Sequence, residues 1–224
     1  MGRAFATQLA AAGHDVTITA TDTAHAEEAA VKAGANARAV RPDAISRDTD
    51  LLILAVPYVA AGDALRGAGD VTGKTIVDIS NPVTPDYSGL ALGFTTSAVE
   101  EIQKAVPTAE VVKAFNTIFA QVLGAAPDRT RAQVLYAGDD AGAKAAVRAL
   151  IESAGFEAVD AGPLAHARLL EPLGMLNIYF GYAAGRGTGI APVWVPVARA
   201  AIAASNVPSN KRPGAGWRWL APGR

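Results

Sequence analysis

The chain has 224 residues, is 50% hydrophobic but only 6% aromatic, and has a formal net charge of −1. A charge so close to zero gives no sign of a nucleic-acid or anionic-membrane partner. The sequence contains no cysteine, which excludes disulfides, thiolate catalysis and Cys-ligated metals. No apolar run approaches the roughly 18 residues of a membrane span. Polar residues interrupt the N-terminal segment, which is a poor secretory signal, so we expect a soluble cytoplasmic protein.

Helix-like stretches alternate with short, continuous apolar runs as far as residue 161. Such runs are typical of strands buried on both faces, as in a parallel sheet covered by helices. Gly13 and Gly34 stand where helices are expected to end. The alternation predicts a doubly wound α/β fold. The predicted helices are 3–12, 24–33, 59–65, 96–105 and 141–154, and the predicted strands are 16–20, 51–56, 75–79, 110–115, 133–137 and 158–161.

After about residue 162 the alternation gives way to one long apolar, mostly helix-prone stretch, 163–184. Apolar residues occur nearly all round this predicted helix, so we expect it to be buried, against the rest of the chain or against a second subunit. Pro172 is expected to kink it. The final segment, 205–224, is rich in Pro, Gly and Arg and is predicted to be mostly disordered. The expected regions are a nucleotide-binding domain at 1–162, a helical substrate or dimer region at 163–204, and this tail.

Gly2 and Asp22 have the spacing of two positions in a dinucleotide-binding βαβ unit. The third glycine of G-x-G-x-x-G begins a helix whose N-terminus binds the pyrophosphate, and an acidic residue about 20 positions on holds the ribose hydroxyl. Gly2 fits that glycine, and Asp22 follows the next predicted strand. Both also have a purely structural interpretation, because a glycine before a helix is common and an Asp after a strand is often a turn residue.

The sequence resembles the family of NADP oxidoreductases that work with the deazaflavin coenzyme F420. The resemblance covers about residues 1–194 and is carried by MGRAFATQLAAAGHDV, LLILAVPY, VDISNPV, VVKAFNT, YAGDD and DAGPLAHARLLEPLGMLNI, in the family's order and spacing. It implies a Rossmann-like doubly wound parallel sheet with a small C-terminal helical part. It also implies hydride transfer between NADP and F420, in which positioning of the two rings does most of the work. We therefore name no catalytic residue and no metal ligand.

The resemblance places the cofactor in loops that follow the predicted strands. The first block matches the end of the family's glycine-rich loop, and the block ending at Pro57 would line the adenosine and ribose side. Asn81 would meet the nicotinamide ribose. Strand termination, a turn and a helix cap remain alternative roles for these positions. The expected cofactor-binding residues are Gly2, Arg3, Thr21, Asp22, Ala55, Val56, Pro57, Asn81, Pro82 and Ala114, and the expected substrate-binding residues are Asn116, Thr117 and Met175.

Two features depart from the family pattern. The loop after the second strand of NADP-preferring members usually carries Arg for the 2′-phosphate, whereas here it reads Ala20-Thr21-Asp22-Thr23. Asp22 would repel that phosphate and could accept hydrogen bonds from a free ribose diol, so NAD stays open beside NADP. The family's central first strand has no counterpart before Gly2, and about 8 ladder bonds at about 1 kcal/mol each would be lost with it. We therefore expect the natural protein to begin about ten residues upstream.

Other functions stay open at this stage. A reductase of another acceptor, such as a flavin, a ferric chelate or a small imine or carbonyl, is one, and a non-catalytic dinucleotide sensor is another. A carbonyl reductase would need a proton donor, for which Lys113 is the nearby candidate, although we expect its side chain to point away from the Asn116 side. His166 and Arg168 either face the substrate or have a structural role. The histidines have no metal-ligand spacing, and we expect a small-molecule redox partner and a homodimer.

Overall fold

The computed structural model describes residues 1–124 and 132–195, of which 1–193 form one compact unit. Helices and strands alternate along this unit, as the apolar runs predict. The helices are α1 (Gly2–Ala11), α2 (Thr23–Ala33), α3 (Tyr58–Gly67), α4 (Ala98–Ala105), α5 (Ala120–Gly124), α6 (Ala141–Ser153) and α7 (Ala167–Ile178). The strands are β1 (Val16–Ile18), β2 (Ala37–Ala39), β3 (Leu51–Leu54), β4 (Thr75–Asp78), β5 (Glu110–Ala114), β6 (Gln133–Ala137) and β7 (Glu157–Asp160).

The described strands form two sheets. A five-stranded sheet has the order β3-β4-β5-β6-β7, and β1 and β2 form a separate parallel pair. Within the larger sheet β3, β4 and β5 are parallel, as are β6 and β7, but β6 is antiparallel to β5. The predicted doubly wound parallel sheet is therefore confirmed, with the β5–β6 pair as an antiparallel exception, because an apolar run marks a buried strand but not its direction.

No described strand lies between β1 and β3, although both have a free edge there. A Cβ built on Gly2 would lie 3.8 Å from the Cβ of Ala55, so α1 begins at the carboxyl end of β3. The chain then follows α1 away from that end and reverses at Gly13, where φ is +91°. Strand β1 consequently runs back in the same direction as β3. A cleft of about 580 Å³ separates the two, and we call it the β1–β3 cleft.

The main core lies between the five-stranded sheet and helices α1 and α6. Phe115 is its centre, with edge-to-face contacts to Phe5 of α1 and to Phe156, at ring-centroid distances of 5.0 and 6.1 Å. Aromatic pairs in this geometry contribute beyond their buried area. Helix α1 is therefore fixed to the large sheet, while β1 and β2 continue from it towards the edge of the molecule.

The long C-terminal apolar stretch forms α7 followed by a π-helical turn at Tyr179–Ala183. The helix continues through Pro172, which lies inside it. The prediction that this helix is buried holds for one face only, because Leu169, Leu176 and Tyr179 are exposed. Of the predicted 163–204 region, residues up to 195 are described, and the predicted tail at 205–224 lies outside the described residues.

Candidate functional site

Most of the residues singled out from the sequence lie in loops that follow β1, β3, β4 and β5. These four strands share one direction, so their carboxyl ends meet at one edge of the molecule. In open α/β folds this is the edge at which ligands bind. Two direct approaches tie the loops together: Gly2 lies against Ala55, and the side chains of Asn81 and Asn116 are hydrogen-bonded.

The N-terminus of α1 is open at this edge. The backbone N–H groups of Ala4 and Phe5 donate to the carbonyl of Met1 at 2.9 and 3.1 Å, and no side chain caps the helix. The N–H groups of Gly2 and Arg3 have no acceptor among the described residues. Free N–H groups at the positive end of a helix dipole suit a phosphate group. This end of α1 therefore fits the pyrophosphate of a dinucleotide.

Arg3 lies one residue further along α1 and is directed towards α2. Its guanidinium forms an ion pair with Glu28 at 3.1 Å, and Lys32 contacts the same carboxylate at 2.6 Å. About half of the Arg3 and Glu28 side chains is exposed. Exposed pairs of this kind are weak and are readily exchanged for another partner, so Arg3 stays available to an anion at the open edge.

Asp22 is exposed after β1 and has a structural role there. One carboxylate oxygen accepts a hydrogen bond from the backbone N–H of Ala24 at 2.9 Å, which caps α2. The other oxygen lies 3.9 Å from the His25 ring. The structural interpretation of Asp22 therefore holds, and its second oxygen remains free to accept a hydrogen bond from a ligand. Thr21 precedes it and is also exposed.

The loop after β3 forms one wall of the open edge. Ala55 and Val56 are half-buried, whereas Pro57 is exposed and immediately precedes α3. Tyr58 is the first residue of that helix. Burial, followed by the charges of Glu101, Glu171 and Asp78, raises the pKa of Tyr58 above its ordinary value. Its phenol therefore stays a neutral hydrogen-bond donor at physiological pH.

Asn81 and Asn116 form an amide pair underneath α7. The Asn81 amide donates to the Asn116 carbonyl at 2.8 Å, and the Asn116 amide donates to Asn81 Oδ1 at 2.9 Å and to the Leu170 carbonyl at 2.8 Å. Gly174 of α7 lies directly over the pair, since a Cβ there would come within 2.5 Å of Asn81 Oδ1. The two residues predicted from separate motifs are thus brought together, and they hold α7 against the sheet.

Three further predicted residues are more enclosed than a ligand contact requires. Ala114 is fully buried, Thr117 is 2% exposed, and Pro82 is fully buried. The Thr117 carbonyl accepts a hydrogen bond from Asn177 of α7 at 3.0 Å. Phe115 lies between Ala114 and Thr117 in the chain. Its φ is +57°, a backbone angle that a bulky residue adopts only under constraint from its surroundings. This turn directs the chain after β5 under α7.

Lys113 belongs to a fully buried ionic cluster. Its ammonium lies 2.7 Å from Asp78 Oδ2, 2.9 Å from Glu171 Oε1 and 2.5 Å from the Ser80 carbonyl. Both the Lys113 and Asp78 side chains are 0% exposed. Glu171 also accepts the backbone N–H of Ala98, at the start of α4. An ammonium enclosed by two carboxylates is not accessible as a proton donor to a substrate.

The Lys113 side chain also points in a different direction from the one expected from the sequence. It contacts Glu171, and Asn116 contacts the neighbouring Leu170, so both side chains meet the same turn of α7. The expectation that Lys113 points away from the Asn116 side is wrong. Residue alternation holds only while the strand continues, and the positive φ of Phe115 ends that alternation.

A second cavity, of about 350 Å³, lies beside Met175. Its lining is mostly apolar, with Glu171 and Arg168 among the polar residues. Arg168 makes two hydrogen bonds to Glu100, at 2.8 and 2.6 Å. These bonds hold the pKa of the Glu100 carboxyl below its usual range. The other lining residues are Leu90, Leu92, Gly93, Phe94, Thr96 and Pro172.

His166, the other candidate at the start of the final helix, has its Nδ1 2.5 Å from the Ala161 carbonyl. Arg168 is engaged with Glu100 and also lines the second cavity, so His166 has a structural role whereas Arg168 combines a structural contact with a place in that cavity. Within the described residues no group of three His, Asp or Glu side chains is arranged to hold a metal ion. None of the described helices is long and apolar enough to cross a membrane.

Sequence reasoning did not find the partners of Lys113 or the role of Gly174. The signal for the first was present: Asp78, Lys113 and Glu171 are each an ionisable residue within an otherwise apolar segment. Ionisable groups are almost never fully buried without a partner, so three of them in buried segments indicate one cluster. Gly174 had no comparable signal, because its contact with Asn81 joins segments far apart in the chain.

The open strand ends, the uncapped helix and the sheet topology define a Rossmann-like dinucleotide-binding fold. Residues 1–82 match the model of the family described as NADP oxidoreductase, coenzyme F420-dependent. A solved structure of a putative F420-dependent NADP reductase from Arthrobacter sp. FB24 is 28% identical, with a TM-score of 0.74 over 85% of this chain and 94% of that one. The chain belongs to this family, whose members are NAD(P)-dependent oxidoreductases.

Two further proteins are similar. A hypothetical protein from Sinorhizobium meliloti is 31% identical, and the match covers 86% of this chain and 90% of that one with a TM-score of 0.70. The metalloreductase STEAP3 of Rattus norvegicus is 38% identical over 106 residues, which are 47% of this chain and 21% of the rat protein. The match thus spans about a fifth of that relative's length.

Proposed function

We propose that this protein transfers a hydride between NADP and coenzyme F420. The observation that carries the proposal is the shared edge at which α1 begins and β1, β3, β4 and β5 end. The family model and the Arthrobacter relative supply the two substrates by their descriptions. In this reaction the hydride, with its two electrons, would leave the reduced deazaflavin ring and join C4 of the nicotinamide, and the deazaflavin ring would release one proton to solvent.

The chain's own residues would bind and orient the two rings. The N–H groups of Gly2 and Arg3 would hold the pyrophosphate, and Ala55, Val56 and Pro57 would form the wall beside the adenosine half. Asn81 is the half-buried member of the amide pair and would meet the nicotinamide ribose. Because the hydride moves directly between rings, no side chain needs to exchange a proton in that step.

The cavity beside Met175 is the proposed position of the second ring. Its lining is mostly apolar, with Arg168 and Glu171 among the polar residues, and it lies against α7, the same helix that covers the Asn81–Asn116 pair. An apolar wall suits an extended aromatic ring system and excludes water from the path of the hydride. A Met175→Lys substitution is expected to weaken F420 turnover while leaving NADPH binding unchanged.

The cofactor preference rests on Asp22. A free ribose diol would donate to its second carboxylate oxygen, whereas a 2′-phosphate would be repelled, so NAD remains possible beside NADP. We expect Asp22→Arg to shift the ratio of Kd values towards NADPH by about tenfold or more, the effect of removing a repulsion and adding an attraction. Asp63→Arg, the same charge change on the outer side of α3, is the control. Unchanged selectivity of Asp22→Arg would exclude Asp22 from the cofactor loop.

The activity test mixes the full-length protein with NADPH or NADH and one acceptor at a time. Loss of reduced nicotinamide absorbance with F420, and not with a flavin, a ferric chelate or no acceptor, is the expected result. Binding of NADPH without turnover on any acceptor would favour a dinucleotide sensor instead. Turnover of an imine or carbonyl would require a proton donor, for which Tyr58 would be the first residue to substitute.

Reduction of a ferric chelate or flavin is the second candidate, favoured by the likeness to a protein named as a metalloreductase. That match covers 47% of this chain and 21% of the rat protein, so by itself it does not identify the acceptor. The same acceptor series separates the two candidates, because a ferric reductase would turn over the chelate without F420.

A homodimer is the proposed assembly. Leu169, Leu176, Tyr179 and Tyr182 are exposed along α7 and the turn that follows. Exposed apolar side chains that recur on one helix often mark a protein interface. Sedimentation over a range of concentrations is expected to give a dimer, and Leu176→Lys is expected to shift the distribution towards monomer.

A further inference from the structure

Helix α7 continues through Pro172, and this residue interrupts the backbone hydrogen bonds of the helix at one point. In an α-helix the N–H of each residue donates to the carbonyl four residues earlier. Proline has no N–H, so the Arg168 carbonyl lacks the donor that any other residue at position 172 would supply. The helix therefore carries one backbone acceptor without its usual partner.

This carbonyl lies on the face of α7 that lines the second cavity. A helix carbonyl points along the axis towards the residue four positions on, so the Arg168 carbonyl is directed at Pro172. Both residues, together with Met175, line the cavity of about 350 Å³. The Leu170 carbonyl, by contrast, lies on the inner side of α7 and accepts a hydrogen bond from Asn116 at 2.8 Å. The acceptor that Pro172 leaves without its helix donor is thus at the cavity wall.

A hydrogen-bond donor accompanies this acceptor. The Arg168 guanidinium gives Glu100 two hydrogen bonds, from Nε at 2.8 Å and from Nη2 at 2.6 Å. A guanidinium has five N–H donors in a planar fork, and the Nη1 group takes no part in this pair. Because the Glu100 carboxylate balances the charge of Arg168, this side of the cavity suits a neutral ligand. Arg168 therefore offers the cavity a backbone acceptor and a side-chain donor.

The rest of the lining suits the faces of a planar ring. Leu90 and Leu92 come from the loop that joins β4 to α4, and Met175 comes from α7. Phe94 also lines the cavity, although it is 76% exposed. A flat ligand between the loop and α7 would bury this aromatic side chain, which is favourable. A volume of about 350 Å³ is at the small end for ligand pockets, which indicates one ring system rather than a whole cofactor.

The loop that faces α7 is held in place by its own backbone. Val83 and Leu90 form an antiparallel bridge. The Ala91 N–H donates to the Pro82 carbonyl at 2.6 Å, close to the point where the loop leaves the sheet. The wall opposite α7 is therefore formed before a ligand arrives, which reduces the cost of binding.

We propose that the cavity beside Met175 recognises a ring that carries an N–H group next to a carbonyl group, and that Pro172 makes this recognition possible by leaving the Arg168 carbonyl without a helix donor. The ring N–H would donate to this carbonyl, and the ring carbonyl would accept from the Arg168 guanidinium. The pyrimidinedione edge of flavins and deazaflavins has this pattern. The inference rests on the proposed function in that it concerns the second ring of the reaction, and it makes Arg168 and Pro172 specificity-determining residues.

The direct test measures the binding of two ring probes to the full chain by fluorescence titration. Lumiflavin carries an N3–H between two carbonyl groups, whereas 3-methyllumiflavin carries a methyl group on that nitrogen. The methyl group removes the hydrogen bond and leaves a buried acceptor unpaired, so we expect its Kd to be higher by about tenfold or more. Equal Kd values, or no binding of lumiflavin up to its solubility limit, would overturn the proposal.

The Pro172→Ala variant separates ring recognition from stability. Its new N–H would donate to the Arg168 carbonyl and complete the helix bond, so Tm is expected to stay the same or to rise. Lumiflavin should nevertheless bind several-fold more weakly, because the acceptor is now occupied. The preference for lumiflavin over 3-methyllumiflavin should disappear at the same time. If Pro172→Ala keeps the preference of the wild type, the Arg168 carbonyl does not read the ring.

Phe94→Ala is the matched control, because it removes apolar lining from the cavity and leaves the helix backbone unchanged. It should raise the Kd of both probes by the same factor and leave the preference between them as in the wild type. Loss of the preference in Phe94→Ala would show that the methyl group is rejected by packing rather than by the ring edge, which contradicts the proposal.

The same measurements distinguish a failure of this inference from a failure of the proposed function. Turnover of F420 by a wild-type chain that binds the two probes equally would support hydride transfer and overturn the inference. A preference for lumiflavin that Pro172→Ala removes, in a chain that does not turn over F420, would support the inference and overturn the proposed reaction.

Discussion

The two sides of the β1–β3 cleft are stabilised in different ways. On the β3–β7 side, Lys113 and Asp78 form an ion pair whose side chains are 0% exposed, beneath a helix that packs on the sheet. On the β1–β2 side, the charged groups Arg3, Glu28 and Lys32 pair at the surface with about half of each side chain exposed. The β3–β7 side is therefore stabilised by buried contacts of its own, whereas the β1–β2 side is stabilised chiefly by its packing on α1.

This difference bears on how the candidate site is assembled. Asn81 and the loop after β3 are fixed by the large sheet, whereas Asp22 belongs to the smaller pair of strands. Helix α1, anchored through Phe5 to Phe115, connects the two, and His14 before β1 adds a hydrogen-bond contact to Ser153 of α6. A dinucleotide at the shared edge would contact both sides, so its binding should depend on how firmly the β1–β2 side is held.

The largest change in stability is expected from removing the cation of the buried Lys113–Asp78–Glu171 cluster. Lys113→Met would leave Asp78 and Glu171 without their cation, and the loss of one partner of a buried pair costs about 3–5 kcal/mol. For a chain of this size that lowers Tm by about 6–20 °C. Thermal unfolding followed by circular dichroism gives the result.

Two variants make that test specific. Glu28→Gln, on the β1–β2 side, removes a surface pair and should leave Tm unchanged. The triple variant Lys113→Met, Asp78→Asn, Glu171→Gln removes the uncompensated charge and should recover much of the loss. If Lys113→Met has the same Tm as the wild type, the buried cluster does not stabilise the β3–β7 side in the way that we describe.

An intermediate loss of stability is expected from a substitution where α7 packs on the sheet. The Cβ of Gly174→Ala would lie 2.5 Å from Asn81 Oδ1 and 2.8 Å from Asn116 Nδ2. Overpacking of this kind costs about 1–3 kcal/mol. Because Asn81 would move, NADPH affinity should fall as well, which calorimetric titration measures.

Gly62→Ala is the matched glycine control. It lies within α3, and its Cβ would meet only the flexible end of Arg66, 3.3 Å away. Its expected outcome is a gain of up to about 1 kcal/mol from helix propensity, with NADPH affinity unchanged. Equal behaviour of the two alanine variants would contradict the close contact assigned to Gly174.

The smallest effect concerns pH. Hydrogen bonds from Arg168 lower the pKa of Glu100, so its contribution to stability is present above the ordinary Glu pKa and is lost as pH falls through the lowered value. We expect Glu100→Gln to cost about 1 kcal/mol near neutral pH. The difference from wild type should vanish in acid. Glu27→Gln, on the exposed face of α2, is the control and should leave Tm unchanged at neutral pH. A constant difference would show that the carboxylate charge is not responsible.

The sequence was sufficient for features that arise within one segment. The apolar runs marked six of the seven described strands within two residues, because a buried strand is apolar over its own length. Strand β2, with the sequence Ala37-Arg38-Ala39, has no such run and was missed. Its existence follows from pairing with β1, which no local pattern reports.

For the candidate site, the sequence predicted which loops come together but not how deeply each residue is buried. The motifs brought Gly2, Asp22, Ala55 and Asn81 to one edge because parallel strands share the direction of their carboxyl ends. The burial of Ala114 and Thr117 could not be predicted, since it depends on the turn at Phe115 and on α7 packing over it. The antiparallel direction of β6 likewise could not be predicted, because an apolar run does not report how the strand pairs with β5.

The central claim is that one dinucleotide binds at the edge where α1 begins and where β1 and β3 end. Hydrogen exchange of the full chain with and without saturating NADPH tests it. We predict slower exchange in the first turn of α1, in residues 20–24 after β1 and in residues 55–58 after β3, with little change at the opposite ends of these strands. Protection confined to one side, or binding that leaves all three segments unchanged, would contradict it.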